Sequence, residues 1–277
     1  MIGGSVGKAL RERGLVERVV GIGRDASRLD EGVRHGAIDE GTTDPRRGVA
    51  AAEVVVICTP VPQIVDDVRN AAEWGPEGVL VTDAGSTKRE IVEQVAKHDR
   101  SRAVFVGGHP IAGSERKGVA FADANLFVNR SCVLTPTADT PPDRLQRARE
   151  FWGGLGCRMI ETTPEDHDKA LALTSHLPHA LASALAGVIP AEILAMAAGA
   201  YRDGTRVAGS DAKLWSGIFR ANREAVLEAM TAFEKRLSAF KDALVADDEP
   251  TLNDLWDSAK ALRARFDSEN SAVGIES

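Results

Sequence analysis

This chain lacks several features that would assign a protein to a specialised class. Its 277 residues include three cysteines, Cys58, Cys132 and Cys157, and this odd, widely spaced set does not form the paired framework of a small secreted domain. Two of the cysteines sit inside apolar runs that are typical of strands. We therefore expect buried, reduced thiols in a cytoplasmic protein.

The chain also lacks a block of one charge and a long apolar run. Its net charge is −7 with both signs mixed throughout, and no cluster of Lys or Arg forms the basic surface typical of nucleic-acid-binding proteins. Residues 1–20 have no apolar core of a signal peptide. The stretch Ala180–Ala200 is mostly alanine and is interrupted by Ser183, Pro190 and Glu192, which favours a helix in a core or subunit interface over a membrane span. We expect neither nucleic acid nor a membrane as a partner.

The first part of the chain, from residue 19 to about residue 162, alternates apolar runs with helical stretches. Continuous apolar strands separated by helices are typical of a mostly parallel sheet that is covered on both faces. The runs are Val19–Ile22, Glu53–Thr59, Val79–Asp83, Ala103–Val106, Cys132–Thr135 and Cys157–Ile160. The pattern predicts an α/β domain over residues 1–163.

The second part of the chain has no strand pattern. Pro164, Glu165 and Asp166 provide the proline and the acids that favour the first turn of a helix. The sequence from there to Ser268 is rich in alanine, leucine and charged residues at helical spacing. It predicts an all-helical domain over residues 164–277.

The N-terminus resembles part of a dinucleotide-binding motif. In such a motif a strand runs into G-x-G-x-x-G, and the next helix points its N-terminus at the pyrophosphate. Here Gly3 can be the last of those glycines, followed by a helical stretch to Arg13 and by the strand-like run at 19–22. We therefore expect a Rossmann-type domain whose first strand is missing, with that strand encoded upstream.

The end of the first strand-like run bears on the choice of cofactor. An acid there holds the ribose 2′-hydroxyl of NAD, whereas a basic residue accommodates the 2′-phosphate of NADP. Gly23 stands where the acid is expected, and Arg24 and Asp25 follow it. Arg24 favours NADP, although Asp25 is able to serve a ribose and Arg24 is equally compatible with simple solvent exposure.

The most informative segment is Gly-Gly-His-Pro-Ile-Ala-Gly-Ser at residues 107–114. His109 follows the apolar run Ala103–Val106, with glycines that let a ligand approach the backbone and Pro110 to stop the strand. A histidine so placed is suited to accept a proton near neutral pH. The alternative is a strand-end histidine that bonds only its own loop.

Five segments, taken together and in order, resemble the prephenate/arogenate dehydrogenase family of tyrosine biosynthesis. The resemblance covers nearly the whole chain, and it is the combination that makes it specific. The segments are Ile2–Ser5, Asp83–Lys88, Gly107–Gly118, Ser175–His179 and Tyr201–Ala208, the last accompanied by Trp215 and Asn222.

The resemblance implies an oxidative decarboxylation with hydride transfer to NAD or NADP. Prephenate would give 4-hydroxyphenylpyruvate, and arogenate would give tyrosine. The resemblance also implies the catalytic residues: His109 takes the proton of the ring hydroxyl, and Ser86 sits beside this histidine and the nicotinamide. A homodimer formed through the helical domain is implied as well.

The same resemblance implies the binding residues. Arg206 is expected to bind a substrate carboxylate, for which a guanidinium is the bidentate partner. His179, Ser175 and Ser114 are expected near the substrate. The residues expected at the cofactor are Ile2, Gly3, Ser5, Arg24, Thr59, Pro60, Asp83 and Ser86.

Other interpretations stay open at this point. Ser86 is able to cap the next helix, and Arg206 is able to be a surface charge. His167, His176 and His179 lack the accompanying Cys or Glu-x-x-His pattern of a zinc site, so we expect no metal, and we interpret His167 and His176 as packing or hydrogen-bonding residues. The rival functions are another dehydrogenase of the same architecture and a non-catalytic cofactor-binding protein.

Overall fold

The computed structural model describes residues 1–113 and 116–271. Up to residue 161 helices and strands alternate, with a short 3₁₀ helix (Val119–Phe121) between β5 and β6. The order is α1 (Ile2–Glu12), β1 (Val20–Ile22), α2 (Ala26–Arg34), β2 (Glu40–Thr42), α3 (Pro45–Val49), β3 (Val54–Ile57), α4 (Val61–Trp74), β4 (Leu80–Asp83), α5 (Arg89–Ala96), α6 (Asp99–Val104), β5 (Phe105–Pro110), β6 (Ser131–Thr135), α7 (Pro142–Gly154) and β7 (Arg158–Glu161).

Five of the strands form one sheet in the order β3-β4-β5-β6-β7. Its pairs are parallel except for β5 and β6, which run antiparallel with His109 opposite Val133. The prediction of a mostly parallel sheet is therefore confirmed. One boundary was wrong: Ala103 and Val104 end helix α6, and the strand runs from Phe105 to Pro110.

Strands β1 and β2 form a separate parallel pair. The sequence did not predict β2, because Glu40-Gly41-Thr42 has no apolar run; the strand forms by pairing with β1. Among the described residues, no backbone pairing joins β1 to β3. The additional strand expected from the sequence stays a prediction.

The five-stranded sheet is covered on both faces, as the sequence predicted. Along β3 the side chains alternate: Val55 and Ile57 pack with α4 and α5, whereas Val54 and Val56 face the cluster that contains α1 and α7. Trp152 of α7 is fully buried there, and its indole N–H donates to Thr82 Oγ1 over 3.2 Å. The sheet is thereby fixed between two layers of helices.

The second part of the chain is helical, as predicted. Its α-helices are α8 (Pro164–Leu171), α9 (Leu177–Val188), α10 (Gly199–Thr205), α11 (Ala212–Ala221), α12 (Arg223–Val245) and α13 (Glu249–Ser271). A π-helical turn (Ala172–His176) joins α8 to α9, and 3₁₀ helices span Ala191–Met196 and Arg206–Gly209. Within the ranges that the structure describes, no helix combines the length and apolar character that a membrane span needs.

Helix α1 lies close to the segment that precedes β2, and Gly7 makes this approach possible. A Cβ atom added to Gly7 would lie 1.9 Å from the carbonyl oxygen of Ala37, which is fixed backbone. We therefore expect Gly7→Ala to lower the free energy of unfolding by about 1–3 kcal/mol in urea denaturation. Gly153→Ala in α7 is the matched control, because no atom lies within 4 Å of the added Cβ. Equal stability of the two variants would contradict the close approach.

Candidate active site

The turn that follows β4 is fastened by the carboxylate of Asp83. This carboxylate accepts the backbone N–H of Gly85 over 2.9 Å and that of Gly108 over 3.0 Å, and it pairs with the ammonium of Lys88. The Asp83 and Lys88 side chains are fully buried. The bond to Gly108 ties the turn that carries Ser86 to strand β5, which carries His109.

The two glycines before His109 allow β5 to pack tightly between its neighbours. A Cβ added to Gly107 would lie 2.5 Å from Thr135 Oγ1, and one added to Gly108 would lie 2.8 Å from the backbone oxygen of Asp83. The strand ends at Pro110, as the sequence predicted. His109 is thus presented, half-buried, near the end of a rigid strand.

His109 is hydrogen-bonded to a second histidine from the helical part of the chain. Its Nδ1 lies 2.9 Å from Nε2 of His167, whose own Nδ1 lies 2.7 Å from Oδ1 of Asp168. Burial, followed by the nearby His167, Lys88 and His176, holds the pKa of His109 well below its ordinary value. The imidazole is therefore unprotonated at neutral pH, which is the form that accepts a proton.

The Asp168 carboxylate also binds the start of helix α5. It accepts the backbone N–H of Lys88 over 2.8 Å and that of Arg89 over 3.0 Å. A carboxylate at this end of a helix satisfies free N–H groups and is favoured by the helix dipole. Helix α5 begins at Arg89 with Lys88 in the N-cap position, so the alternative that Ser86 caps this helix is wrong. Ser86 lies half-buried in the turn.

His179 and Arg206 belong to a second group of side chains on the helical part of the chain. The Nδ1–H of His179 donates to the carbonyl of Ser175 over 2.8 Å, and the ring stacks on Trp215 with centroids 3.6 Å apart. Burial and the charge of Arg206 lower the pKa of His179, against the opposing effect of the Ser175 bond. Arg206 is exposed in a 3₁₀ turn that packs against α9.

The two groups are connected through Asn222. Its amide donates to the backbone oxygen of Asp168 over 2.7 Å and lies 3.1 Å from Nδ1 of His176. His176 contacts Trp215 edge to face, with ring centroids 6.0 Å apart. The interpretation of His176 as a hydrogen-bonding residue is confirmed.

Sequence reasoning missed the part played by His167 and Asp168. The sequence indicates a packing or hydrogen-bonding role for His167 and no role for Asp168. In the structure both side chains are buried and lie in one hydrogen-bonded chain with His109. No spacing in the sequence relates residue 167 to residue 109. The available signal was His167 and Asp168 in tandem near the start of a helix, a position that favours acids but not a histidine.

Several predicted cofactor residues lie where parallel strands end. Ile2 and Gly3 are in the first turn of α1, and a Cβ added to Gly3 would lie 3.3 Å from the Cβ of Cys58, just after β3. Thr59 and Pro60 follow, and the Thr59 hydroxyl donates to Asp67 over 2.6 Å. A helix N-terminus beside the ends of parallel strands fits the pyrophosphate of a dinucleotide.

Other predicted cofactor residues are engaged by the protein itself. Ser5 is fully buried, and its hydroxyl accepts the N–H of Asp123 over 3.0 Å. Asp83 is also fully buried, with the partners given above. Asp25 caps α2: its carboxylate accepts from the backbone and the hydroxyl of Ser27, which lowers its pKa. Arg24 is exposed.

The remaining expectations concern Ser114 and a metal. Ser114 lies outside the described residues, so its predicted contact with substrate stays a prediction. Across residues 1–113 and 116–271, no three His, Cys, Asp or Glu side chains form a group that could hold a metal ion.

Comparison with known proteins identifies the family. Residues 6–161 match the family described as prephenate dehydrogenase, nucleotide-binding domain, and residues 163–257 match prephenate dehydrogenase, dimerization domain. The chain is 31% identical to the prephenate dehydrogenase of Bacillus subtilis (strain 168) over 271 residues, which covers 95% of this chain and 73% of that protein.

Solved structures support the same family assignment. The structure of Aquifex aeolicus prephenate dehydrogenase in complex with hydroxyphenyl propionate and NAD⁺ has a TM-score of 0.89 at 32% identity and covers 96% of this chain and 94% of that one. Synechocystis arogenate dehydrogenase has a TM-score of 0.83 at 29% identity, with 96% of each chain covered. The chain therefore belongs to the prephenate dehydrogenase family, the NAD(P)-dependent oxidoreductases of tyrosine biosynthesis.

Proposed function

We propose that this chain oxidises and decarboxylates prephenate or arogenate with His109 as the proton acceptor. The observation that carries the proposal is the half-buried, unprotonated His109, hydrogen-bonded through Nδ1 and tied to the turn that holds Ser86. With Nδ1 engaged by His167, Nε2 is the nitrogen left to meet the ring hydroxyl. Ser86 supplies a hydroxyl at the adjacent turn, where it orients the same oxygen.

The reaction balances without a metal or a further oxidant. His109 takes the hydroxyl proton while the carbon that bears this oxygen loses a hydride, and the ring carboxylate then leaves as CO₂. A nicotinamide cofactor, when bound, would supply the hydride acceptor. The proton held by His109 returns to the ring oxygen as the ring becomes aromatic, so no net proton is lost from the base.

We propose that the group around His179 binds the rest of the substrate. Arg206 offers a guanidinium, which pairs with a carboxylate through two parallel hydrogen bonds. Its exposure leaves these donors available. His179 has its Nδ1–H committed to Ser175, which leaves Nε2 as its acceptor, and Arg206 is near enough for its charge to lower the pKa of this ring. Ser175, and Ser114 on the other part of the chain, complete the proposed set.

The proposed cofactor is NAD or NADP, with a preference for NADP. The support is local: Arg24 is exposed just beyond β1, and Asp25 already accepts two hydrogen bonds from Ser27. A guanidinium in this position pairs with a 2′-phosphate, and a carboxylate engaged as a helix cap is less available to a ribose. Gly23 offers no side chain for either task.

We also propose that the chain consists of two domains, residues 1–163 and 164–277, and forms a cytoplasmic homodimer through the second. Large apolar side chains are exposed on the helical part: Val188 is 76% exposed, Met196 85% and Leu244 67%. A monomer leaves such side chains in water, whereas a second copy buries them. Three free cysteines, two of them buried, suit a reducing compartment.

The test of the reaction is cofactor reduction by the purified chain. Prephenate and arogenate are each offered with NAD⁺ and with NADP⁺, and formation of the reduced nicotinamide is followed at 340 nm. We expect turnover that depends on one of the two substrates and is faster with NADP⁺. Cofactor binding without turnover on either substrate would instead support a non-catalytic cofactor-binding protein.

His109→Asn tests the proton acceptor. Asparagine keeps a hydrogen-bonding group but has no basic nitrogen, so we expect kcat to fall about 10²- to 10⁴-fold while the Kd of the cofactor changes little. His35→Asn is the matched control, because His35 is a partly exposed histidine paired with Glu31. Unchanged turnover in His109→Asn would remove His109 from the mechanism.

The pH profile of the unaltered chain tests the state of the same group. The base works when it is unprotonated, and its pKa is held well below 6.5. As the pH falls, kcat/KM is therefore expected to persist through 6.5 and to decline well below it, since this parameter reports groups of the free enzyme. An acid limb at or above pH 6.5 that disappears in His109→Asn would show that His109 is the base but would contradict its lowered pKa.

Arg206→Lys tests the carboxylate contact. Lysine keeps the positive charge but loses the paired donors of the guanidinium, so we expect the substrate KM to rise about tenfold with a much smaller change in kcat. Arg202→Lys serves as the control, since Arg202 is an exposed arginine of the preceding helix that pairs with Asp203. A change confined to cofactor affinity would show that Arg206 does not bind the substrate.

A further inference from the structure

We propose that His167 and Asp168 are positioning residues that fix the tautomer of His109 and stabilise the charge it gains. This inference rests on the proposed function, because it assigns the two side chains to the base of that reaction. The residues come from α8, in the helical part of the chain, whereas His109 comes from the sheet. The base is therefore assembled from both parts of the molecule.

The tautomers follow from the order of the hydrogen bonds. A carboxylate only accepts, so the contact between Asp168 Oδ1 and His167 Nδ1 places the His167 proton on Nδ1. In a neutral His167 ring, the Nε2 atom then has a lone pair, and it accepts from Nδ1 of His109 over 2.9 Å. The His109 proton is thus on Nδ1, which leaves its Nε2 as the basic atom.

The Asp168 side chain, at the end of this series of hydrogen bonds, is held in one orientation by several partners. Its two carboxylate oxygens accept from Lys88 N–H, Arg89 N–H and His167. Its backbone oxygen accepts the amide N–H of Asn222 over 2.7 Å. The Asp168 side chain is 3% exposed, and three N–H donors offset the cost of burying its charge.

The surroundings of His109 explain why a linked carboxylate matters. Among the residues that the structure describes, the titratable groups that face it are His167 and His176 from the helical part and Lys88 from the turn after β4. Lys88 is paired with Asp83, and His176 is bonded to Asn222. When His109 becomes an imidazolium, the negative charge that hydrogen bonds link to it is that of Asp168, through His167.

If His167 had a purely structural role, a different order of activity would be expected among its variants. The two rings lie 5.1 Å apart at 58°, a tilted contact that an apolar ring of similar size could also make. If His167 only packs, phenylalanine should replace it better than glutamine. If it accepts from His109, glutamine should be the better substitute, because its amide oxygen accepts from His109 and its N–H donates to Asp168.

The experiment compares His167→Phe, His167→Gln and Asp168→Asn, with His35→Gln as the control. We expect kcat to fall about 10²-fold in His167→Phe and in Asp168→Asn, with substrate KM and cofactor Kd within about threefold of the unaltered chain. His167→Gln should recover at least tenfold of this loss. A phenylalanine variant as active as the glutamine variant would overturn the proposal.

A spectroscopic readout separates this inference from the proposed reaction. The full chain has six histidines, and ¹⁵N labelling of their rings reports the protonated nitrogen of each without any turnover. We expect His109 to carry its proton on Nδ1 in the unaltered chain and to populate both tautomers in Asp168→Asn.

A proton on Nε2 of His109 in the unaltered chain would overturn the proposal even if prephenate is oxidised. The expected tautomer with no turnover would instead count against the reaction alone. Urea denaturation verifies that each variant is folded.

Discussion

The buried carboxylate of Asp83 is the interaction on which the site depends. It binds two backbone N–H groups, from Gly85 and Gly108, and the ammonium of Lys88, all out of contact with water. Removal of one partner from a buried ion pair costs about 3–5 kcal/mol, because the other charge is left uncompensated. Since Gly108 is in β5 and Gly85 is in the turn after β4, this carboxylate ties the turn that carries Ser86 to the strand that carries His109.

The Asp168 carboxylate links the helical region of the chain to the region that contains the sheet. From the helical region it holds the first N–H groups of α5, and through His167 it reaches the histidine on the sheet. Exposed ion pairs also join the regions, Arg89 with Glu224 and Lys117 with Asp211. Such pairs contribute about 0–1 kcal/mol each. The contacts of Asp168 are buried, and they hold α8 against the start of α5 and, through His167, against His109 of β5.

The sequence predicted what depends on local pattern. Apolar runs located β3, β4, β6 and β7 to within a few residues, and the glycines and proline around His109 located the strand that presents it. It did not predict β2, because Glu40-Gly41-Thr42 forms a strand through its partner and not through its own side chains. It also missed the contact of His167 with His109, since 58 residues separate them and only the packing of α8 on the sheet joins them.

The placement of His109 answers two opposing physical demands. Burial favours the neutral imidazole and so keeps the base ready at neutral pH, as the lowered pKa shows. The same burial penalises the imidazolium that forms once the proton has been accepted, because less water solvates it. A carboxylate in direct contact with His109 would stabilise the imidazolium. It would also raise the pKa of His109, so the base would no longer be neutral at neutral pH. The His167 ring lies between His109 and Asp168, so the carboxylate does not touch His109. Two hydrogen bonds nevertheless link this carboxylate to His109 when His109 accepts a proton.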